Sequence, residues 1–453
     1  MEQKASWIAT VTGGTLHGPD VAITGSVQTD SRLCGEGSLY IARVGENADG
    51  HDYADAAVES GATCLVVERP LPLAVAQVVV SESTRALGDI AKAHLASLRN
   101  DGEITVIGIT GSVGKTTTKD LLGQILGAEA LTVFPQLSFN NEVGCPLTIL
   151  TADSATRFLI LEMGASGIGH IEYLTNIAPL DVACVLMVGS AHLGGFGSME
   201  AVRQAKSELV AGLVSGGKAV LNADDPAVRS MASTVERENV LWFSKDDATD
   251  IHAGKDGIQF TYRGRLVRSP LVGAHQVMNI LAALRCAEAV GVDVDDSVEA
   301  LSASKALSPH RMVVRDGVKF AGVSDLRVID DSYNANPDSL RAGLDSAAML
   351  STGRLIVVLG EMLELGEESD KLHRQAAKDA VLHGADILIA IGEGLRVVEK
   401  ITDSPTTMLW CRNAAEATKL LEQVLRAGDT VFVKGSNGSG AWRVADSLLA
   451  DVQ

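Results

Sequence analysis

Ile104-Thr-Val-Ile-Gly-Ile-Thr110 runs directly into Gly111-Ser-Val-Gly-Lys-Thr-Thr-Thr118, and this stretch decides the fold. The first half is apolar and β-branched, which is how a buried strand reads. The second half is a glycine-rich turn ending in Lys115 and Thr116, and Lys119-Asp-Leu-Leu-Gly-Gln-Ile-Leu126 behind it has the pattern of a helix. A strand, a glycine loop and a helix N-terminus in that order make a phosphate cradle. Gly111 and Gly114 let backbone N–H groups approach phosphate oxygens, and the helix end adds partial positive charge. The amides of Thr110, Gly111, Ser112, Val113, Gly114 and Thr117 belong to this cradle. Lys115 is placed to neutralise β/γ-phosphates and the Thr116 hydroxyl to ligate Mg²⁺. The spacing departs from the usual G-x-x-x-x-G-K-[ST]: Ile109 stands where the first glycine falls, and Gly108 comes one place early.

The rest of the chain extends that βαβ logic. At 453 residues it exceeds one ordinary core. Forty-five glycines with only 4% aromatic residues suit an α/β protein with many tight strand–helix turns. Apolar runs at 104–110, 157–163, 182–188, 219–222 and 240–243 predict a largely parallel central sheet. A second alternation, at 326–329, 354–359, 386–391 and 430–433, predicts a Rossmann-like domain. The first ~80 residues read as short strands and turns, and residues 85–98 as a helix entering the second domain. The expected division is therefore a small α/β domain over 1–83, a P-loop domain over 84–312 and a Rossmann-like domain over 313–453.

A net charge of −19 argues against a nucleic-acid partner. The six cysteines are scattered with no C-x-x-C spacing, which reads as buried thiols rather than metal sites or disulfides. With no apolar run of membrane length and no signal-like start, the protein is expected in the cytoplasm, without membrane insertion.

Three further positions carry candidate chemistry. Glu162 closes the apolar run Leu159-Ile-Leu-Glu162, where a carboxylate is costly unless paired or metal-bound. It reads either as a cap or ion pair, or, beside a P-loop, as a second Mg²⁺ ligand. His192 lies in the glycine-rich loop Gly189-Ser-Ala-His192-Leu-Gly-Gly-Phe-Gly-Ser198. Lys206 follows fourteen residues later, on a helical stretch where a lysine by itself reads as a solvated face. Lys115, Glu162 and His192 all fall at or just past the carboxyl ends of predicted strands, where open α/β sheets bind ligands.

Taken in order, Thr110-Gly-Ser-Val-Gly-Lys-Thr116, Glu162-Met-Gly, Ala191-His-Leu-Gly-Gly-Phe-Gly-Ser198, Ala205-Lys206, and His275 with Asn279 resemble the Mur ligases, nearly end to end. Asp330-Asp-Ser-Tyr-Asn-Ala-Asn-Pro-Asp-Ser339, Asn140-Asn-Glu-Val-Gly-Cys-Pro-Leu-Thr148 and Gly360-Glu-Met-Leu-Glu-Leu-Gly366 with His373 resemble the branch that adds D-alanyl-D-alanine. The D-N-P-R motif of the branch adding the third residue is absent.

The resemblance implies ATP, two Mg²⁺ ions, UDP-N-acetylmuramoyl-tripeptide and D-alanyl-D-alanine, an acyl-phosphate route, and a monomer. It implies that Lys115, Glu162, His192 and Lys206 are catalytic. Thr116, Glu162, His192 and Lys206 would hold metal, Lys206 as a carbamate formed with CO₂. Asn279, Arg311 and Asp331 would contact the nucleotide. Ser31 and Arg32 of Thr29-Asp-Ser-Arg32, with Asn140 and Asn141, would contact the UDP substrate, and Tyr333, Asn334 and Asn336 the dipeptide. Three departures from the pattern stand out: Gln276, Ser166-Gly167, and the Lys434-Gly-Ser-Asn-Gly-Ser-Gly-Ala441 loop, which lacks an arginine. A sister ligase, a P-loop ATPase or kinase, and a non-catalytic paralogue remain as alternatives.

Overall fold

The computed structural model describes residues 2–45, 48–189, 193–401 and 404–450. It is an α/β structure built on three main sheets. The central sheet has six strands, all parallel, in the order Val240–Phe243, Leu213–Asn222, Leu180–Val185, Thr105–Thr110, Phe158–Glu162, Thr132–Val133. The strand leading into the glycine loop is thus interior, with Leu180–Val185 and Phe158–Glu162 beside it. Both its faces are covered, which is why it reads as a continuous apolar run rather than an alternating one.

On one face Ile107 and Ile109 pack with Ile125 of the helix Lys115–Glu129 and Ile280 and Leu284 of the helix Gln276–Ala289. A three-stranded antiparallel sheet, Ala248–Gly254, Gly257–Tyr262 and Arg265–Ser269, closes the same core through Phe260 and Tyr262. On the other face Leu159 and Ala183 share one core with Leu87, Ile90 and Leu95 of the helix Ser83–Asp101. That core runs on into Leu39, Val66 and Val78 of the N-terminal sheet. The connecting helix therefore welds the N-terminal sheet to the central one. Its N-cap is Glu82, whose carboxylate accepts from the backbone N–H groups of Thr84 and Arg85, each at 2.7 Å.

The C-terminal sheet has the order Val313–Phe320, Val323–Asp331, Thr430–Lys434, Leu355–Gly360, Ala385–Ile391, Thr407–Cys411. Only the first pair is antiparallel. Helices Pro337–Leu350 and Ser369–Leu382 cover one face, and Ala414–Val424 and Trp442–Leu449 the other. The carboxyl ends of Val323–Asp331 and Thr430–Lys434 deliver Asp331 and Lys434 toward the glycine loop of the central sheet.

Candidate active site

The glycine loop is shaped by close approach. Gly114 caps the helix Lys115–Glu129 with φ +86°, and a Cβ there would lie 2.2 Å from Asn279 Oδ1. The loop is stitched to the chain beyond Leu180–Val185. Ser112 N–H donates to Met187 O at 3.0 Å, and the Ser112 hydroxyl accepts from Gly189 N–H at 2.7 Å. Lys115 Nζ reaches back across the loop to Gly111 O at 2.8 Å. Burial lowers the Lys115 pKa; Glu162 opposes that shift and Arg311 adds to it.

Glu162, paired in register with Ile109, is 1% exposed. Its carboxylate accepts from Thr116 Oγ1 at 2.8 Å and from Asn140 Nδ2 at 2.9 Å. Thr116 Oγ1 also lies 2.8 Å from Ser138 Oγ, and Arg311 Nη2 donates to both, at 2.9 and 3.2 Å. A buried carboxylate and a hydroxyl converging at this distance form a hard oxygen pair of the kind Mg²⁺ takes. Among the described residues no group of three or more His, Cys, Asp or Glu side chains converges. His192 lies outside the described residues. Lys206, on the helix Met199–Ala211, is 4% exposed. It is therefore not the solvated helix face that the residue alone suggests. Burial first, and Lys115 second, push its pKa down to about 7.

Facing the loop, Gln276 Oε1 accepts from Asn279 Nδ2 at 2.7 Å, so the unexpected glutamine orients the asparagine. The Arg311 guanidinium lies over the Tyr333 ring, 4.2 Å from its centroid. Asp331 is paired with Lys434, Nζ to Oδ2 at 2.5 Å, and Lys434 also donates to Asn334 O at 3.0 Å. The first residue of the arginine-lacking loop is thus held by Asp331. Two asparagines have structural duties. Asn336 Oδ1 caps the helix Pro337–Leu350 through Ser339 N–H at 2.8 Å, and Asn334 Oδ1 accepts from Ala335 N–H at 2.8 Å. Asn141 similarly accepts from Gly144 N–H, opening the helix Gly144–Ile149.

Two cavities meet here. One, about 490 Å³, is lined by Ser112–Thr117, Asn279, Arg311 and, from the C-terminal sheet side, Asp331, Tyr333, Asn334 and Asn336. The other, about 910 Å³, is lined by Asn140, Asn141, Tyr173, and Arg85 of the connecting helix. Lys115 and Asn140 border both. Ser31, Arg32 and Lys206 border neither, and Arg32 is 86% exposed and paired with Asp30. Thr110 is buried at the strand end and its hydroxyl has no hydrogen-bond partner among the described residues. Ser138 and Lys434 are site residues that sequence reasoning did not assign. Ser138 carries no local signal, whereas Lys434 sits at the carboxyl end of a predicted strand, which is a usable one.

Comparison with known proteins agrees with this geometry. The model of the Mur ligase middle domain matches residues 109–287 and that of the Mur ligase glutamate ligase domain residues 310–437. The model described as Mur ligase family, catalytic domain, matches residues 24–98. The UDP-N-acetylmuramoyl-tripeptide–D-alanyl-D-alanine ligase of Mycobacterium bovis is 39% identical, over 100% of this chain and 98% of that one. MurF from Acinetobacter baumannii superposes with a TM-score of 0.86 at 27% identity, covering 99% of both chains. MurF ligase from Thermotoga maritima, solved in complex with ADP, does so with a TM-score of 0.79 at 29% identity, covering 95% of this chain and 98% of that one. From the glycine loop to Lys434, this chain belongs to the Mur ligase family.

Proposed function

We propose that this chain is an ATP-dependent ligase that joins D-alanyl-D-alanine to UDP-N-acetylmuramoyl-tripeptide, a step of peptidoglycan precursor synthesis, giving ADP and phosphate. The observation that carries the reading is the meeting of two cavities at Lys115 and Asn140. A carboxylate forms no amide with an amine at neutral pH unless it is activated. In this arrangement ATP occupies the cavity of the glycine loop, and the tripeptide's terminal carboxylate enters from the second cavity. A carboxylate oxygen attacks the γ-phosphorus, ADP leaves, and an acyl phosphate results. The D-alanyl-D-alanine amine then attacks the acyl carbon, phosphate leaves, and the amine loses a proton.

The side chains match those needs. Lys115 lies between two anions that repel, the γ-phosphoryl group and the incoming carboxylate, and offsets their charge. Thr116 and Glu162 would hold Mg²⁺, and His192 and a carbamylated Lys206 would help hold a second ion. Bound there, the metal would supply Lewis-acid stabilisation of phosphoryl oxygens. Asn140 ties the acceptor side to Glu162. Residues 1–83, with Ser31 and Arg32, take the UDP moiety, 84–312 the ATP, and 313–453 the dipeptide. With their carbonyls engaged in the turn and the cap, Asn334 and Asn336 offer amide N–H donors to it. No helix among the described residues is long and apolar enough to cross a membrane. A cytoplasmic, monomeric enzyme is part of this reading.

The test is ADP release in the presence of UDP-N-acetylmuramoyl-tripeptide and a panel of amines. Release should require both the acceptor and an amine, with D-alanyl-D-alanine strongly preferred over D-alanine, since a site built to bind the second residue is left with unpaired polar groups without it. Equal kcat/KM for the two amines, or preference for a diamino acid with the UDP-dipeptide, would identify a sister ligase. Release independent of any acceptor would identify an ATPase.

A further inference from the structure

His310, Arg311 and Met312 form the joint between the central and C-terminal sheets, and their backbone is unusual. His310 has φ +58° and Met312 φ +52°, so two non-glycine residues in the left-handed region flank Arg311. Such conformations persist only where the surroundings over-determine them. Before the joint, the chain is pinned to the phosphate-loop helix. Gln124 exchanges two hydrogen bonds with the Lys305 backbone, at 2.8 and 3.1 Å, and Ser308 Oγ donates to Asp120 Oδ2 at 2.5 Å. After it, the strand Val313–Phe320 belongs to the C-terminal sheet.

What holds the turn is His310. Its Nδ1 donates to Asp330 Oδ2 at 2.7 Å, and its carbonyl accepts from Tyr333 N–H at 3.0 Å. Asp330 is buried, and its other oxygen accepts from Ser332 N–H at 3.1 Å and from the Ser332 hydroxyl. The far side of the ring faces Trp442, 6.2 Å between centroids, with Asp446 3.9 Å from Nε2. Thus the side chain of His310 is fastened to the strand that ends in Asp331. Its main chain is fastened to Tyr333, the ring on which Arg311 lies.

We infer that His310, through Asp330, is a positioning residue that aims Arg311 at the Thr116 and Ser138 hydroxyls and thereby couples the seating of the C-terminal sheet to nucleotide affinity. It rests on the reading of the glycine-loop cavity as the nucleotide site. His310 itself acts through Arg311. Turning the His310 backbone out of the left-handed region would swing Arg311 away from Thr116, while the Ser308 and Gln124 anchors stay in place.

The experiment is a double-mutant cycle read by ADP affinity in isothermal titration, which needs no acceptor and no turnover. Asparagine tolerates the left-handed region, so His310→Asn keeps the turn accessible while shortening the side chain that reaches Asp330. His310→Asn should weaken ADP binding about tenfold in the parent and less than about twofold in an Arg311→Ala background, because the two act as one unit. Asp330→Asn should repeat that pattern and stands in should His310→Asn fail to fold. Equal losses in both backgrounds would overturn the inference, as would an Arg311→Ala variant with unchanged ADP affinity. Absence of acceptor-dependent ADP release would instead overturn the ligase reading and leave the cycle interpretable.

Discussion

Lys206 should behave as an amine prepared to react with CO₂. An ordinary lysine, with a pKa of about 10.5, is neutral in roughly 0.03% of molecules at pH 7. Lowered to about 7, Lys206 is neutral in about half, a gain of about a thousandfold in the form that attacks CO₂. The neutral amine attacks CO₂, a C–N bond forms as one C=O π bond opens, and one proton leaves; with the proton the ammonium has already given up, two protons pass to solvent and a cation becomes an anionic carboxylate-like group, suited to a hard cation. The perturbation is Lys206→Ala. Turnover should fall by at least about a hundredfold, as for loss of a preorganised charged group, and short carboxylic acids such as acetate should restore part of it. Labelling with ¹³C-bicarbonate should give a carbamate resonance in the nucleotide-bound parent and none in Lys206→Ala. Activity should decline as pH falls through about 7, where the amine protonates.

The stability sign follows from the same shift. Between pH 7 and about 10.5 the unfolded chain binds the proton that the folded chain has released, so this group makes stability rise with pH across that window. Below pH 7 the buried ammonium costs on the order of 5 kcal/mol as an upper bound, so Lys206→Met should melt higher than the parent at pH 6. A Lys206→Ala enzyme within threefold of parental turnover, or a parent with no carbamate resonance and no CO₂ dependence, would refute the reasoning.

Two further outcomes are expected. Lys115→Ala should nearly abolish turnover while leaving the melting temperature within a few degrees, since the hydrogen bond it makes among the described residues goes to a loop carbonyl, Gly111 O; activity within about threefold of the parent would remove Lys115 from the phosphate clamp. Gly114→Ala places a Cβ at φ +86° and 2.2 Å from Asn279 Oδ1, so it should cost about 1–2 kcal/mol in backbone strain and weaken ADP binding at least about tenfold; Asn279→Ala in the same chain should recover part of the loss by removing the clash.

How much of this was legible depends on whether the signal was local. The strand and loop at 104–118 were, because a doubly covered strand, a glycine turn and a helix start each leave their own mark on neighbouring residues. The strand expected at 182–188 runs Leu180–Val185 instead, because Met187 and Gly189 leave the sheet to bond Ser112. The antiparallel strand Val313–Phe320 carries no continuous apolar run, because half of it is exposed and Arg315, Asp316 and Lys319 interrupt it, although Ala321 and Gly322, both at positive φ, make the hairpin turn that announces it. The sheet over 248–269 had readable turns at Lys255-Asp256, just before Gly257, and at Arg263-Gly264, and Gly257–Tyr262 alternates in burial. Side-chain duties were the least legible. Asn336 and Asn141 fit a substrate role and a helix cap equally well as letters, and only their partners reveal the caps. Ser138 and Arg311, 173 residues apart, meet on one hydroxyl through no pattern that either segment carries alone.

The shared wall between the cavities bears on why such a site makes an amide rather than hydrolysing ATP. Asn140 borders both cavities and donates to Glu162, whose other oxygen accepts from Thr116. On the proposed reading, the acceptor carboxylate would thus arrive beside a group that also orients the candidate metal carboxylate, and Lys115 would face both reactants. An acyl phosphate formed there is lost to any water that reaches it, so the amine has to come from a surface that closes the same space. Asp331, Tyr333 and Asn336 of the C-terminal sheet side wall the nucleotide cavity directly. The contact of Gly194 N–H with Glu364 O at 3.2 Å brings the short helix Leu193–Phe196 against that side as well. On the proposed reading, phosphoryl transfer and amine delivery would therefore depend on one closure, which would exclude water while it places the second nucleophile.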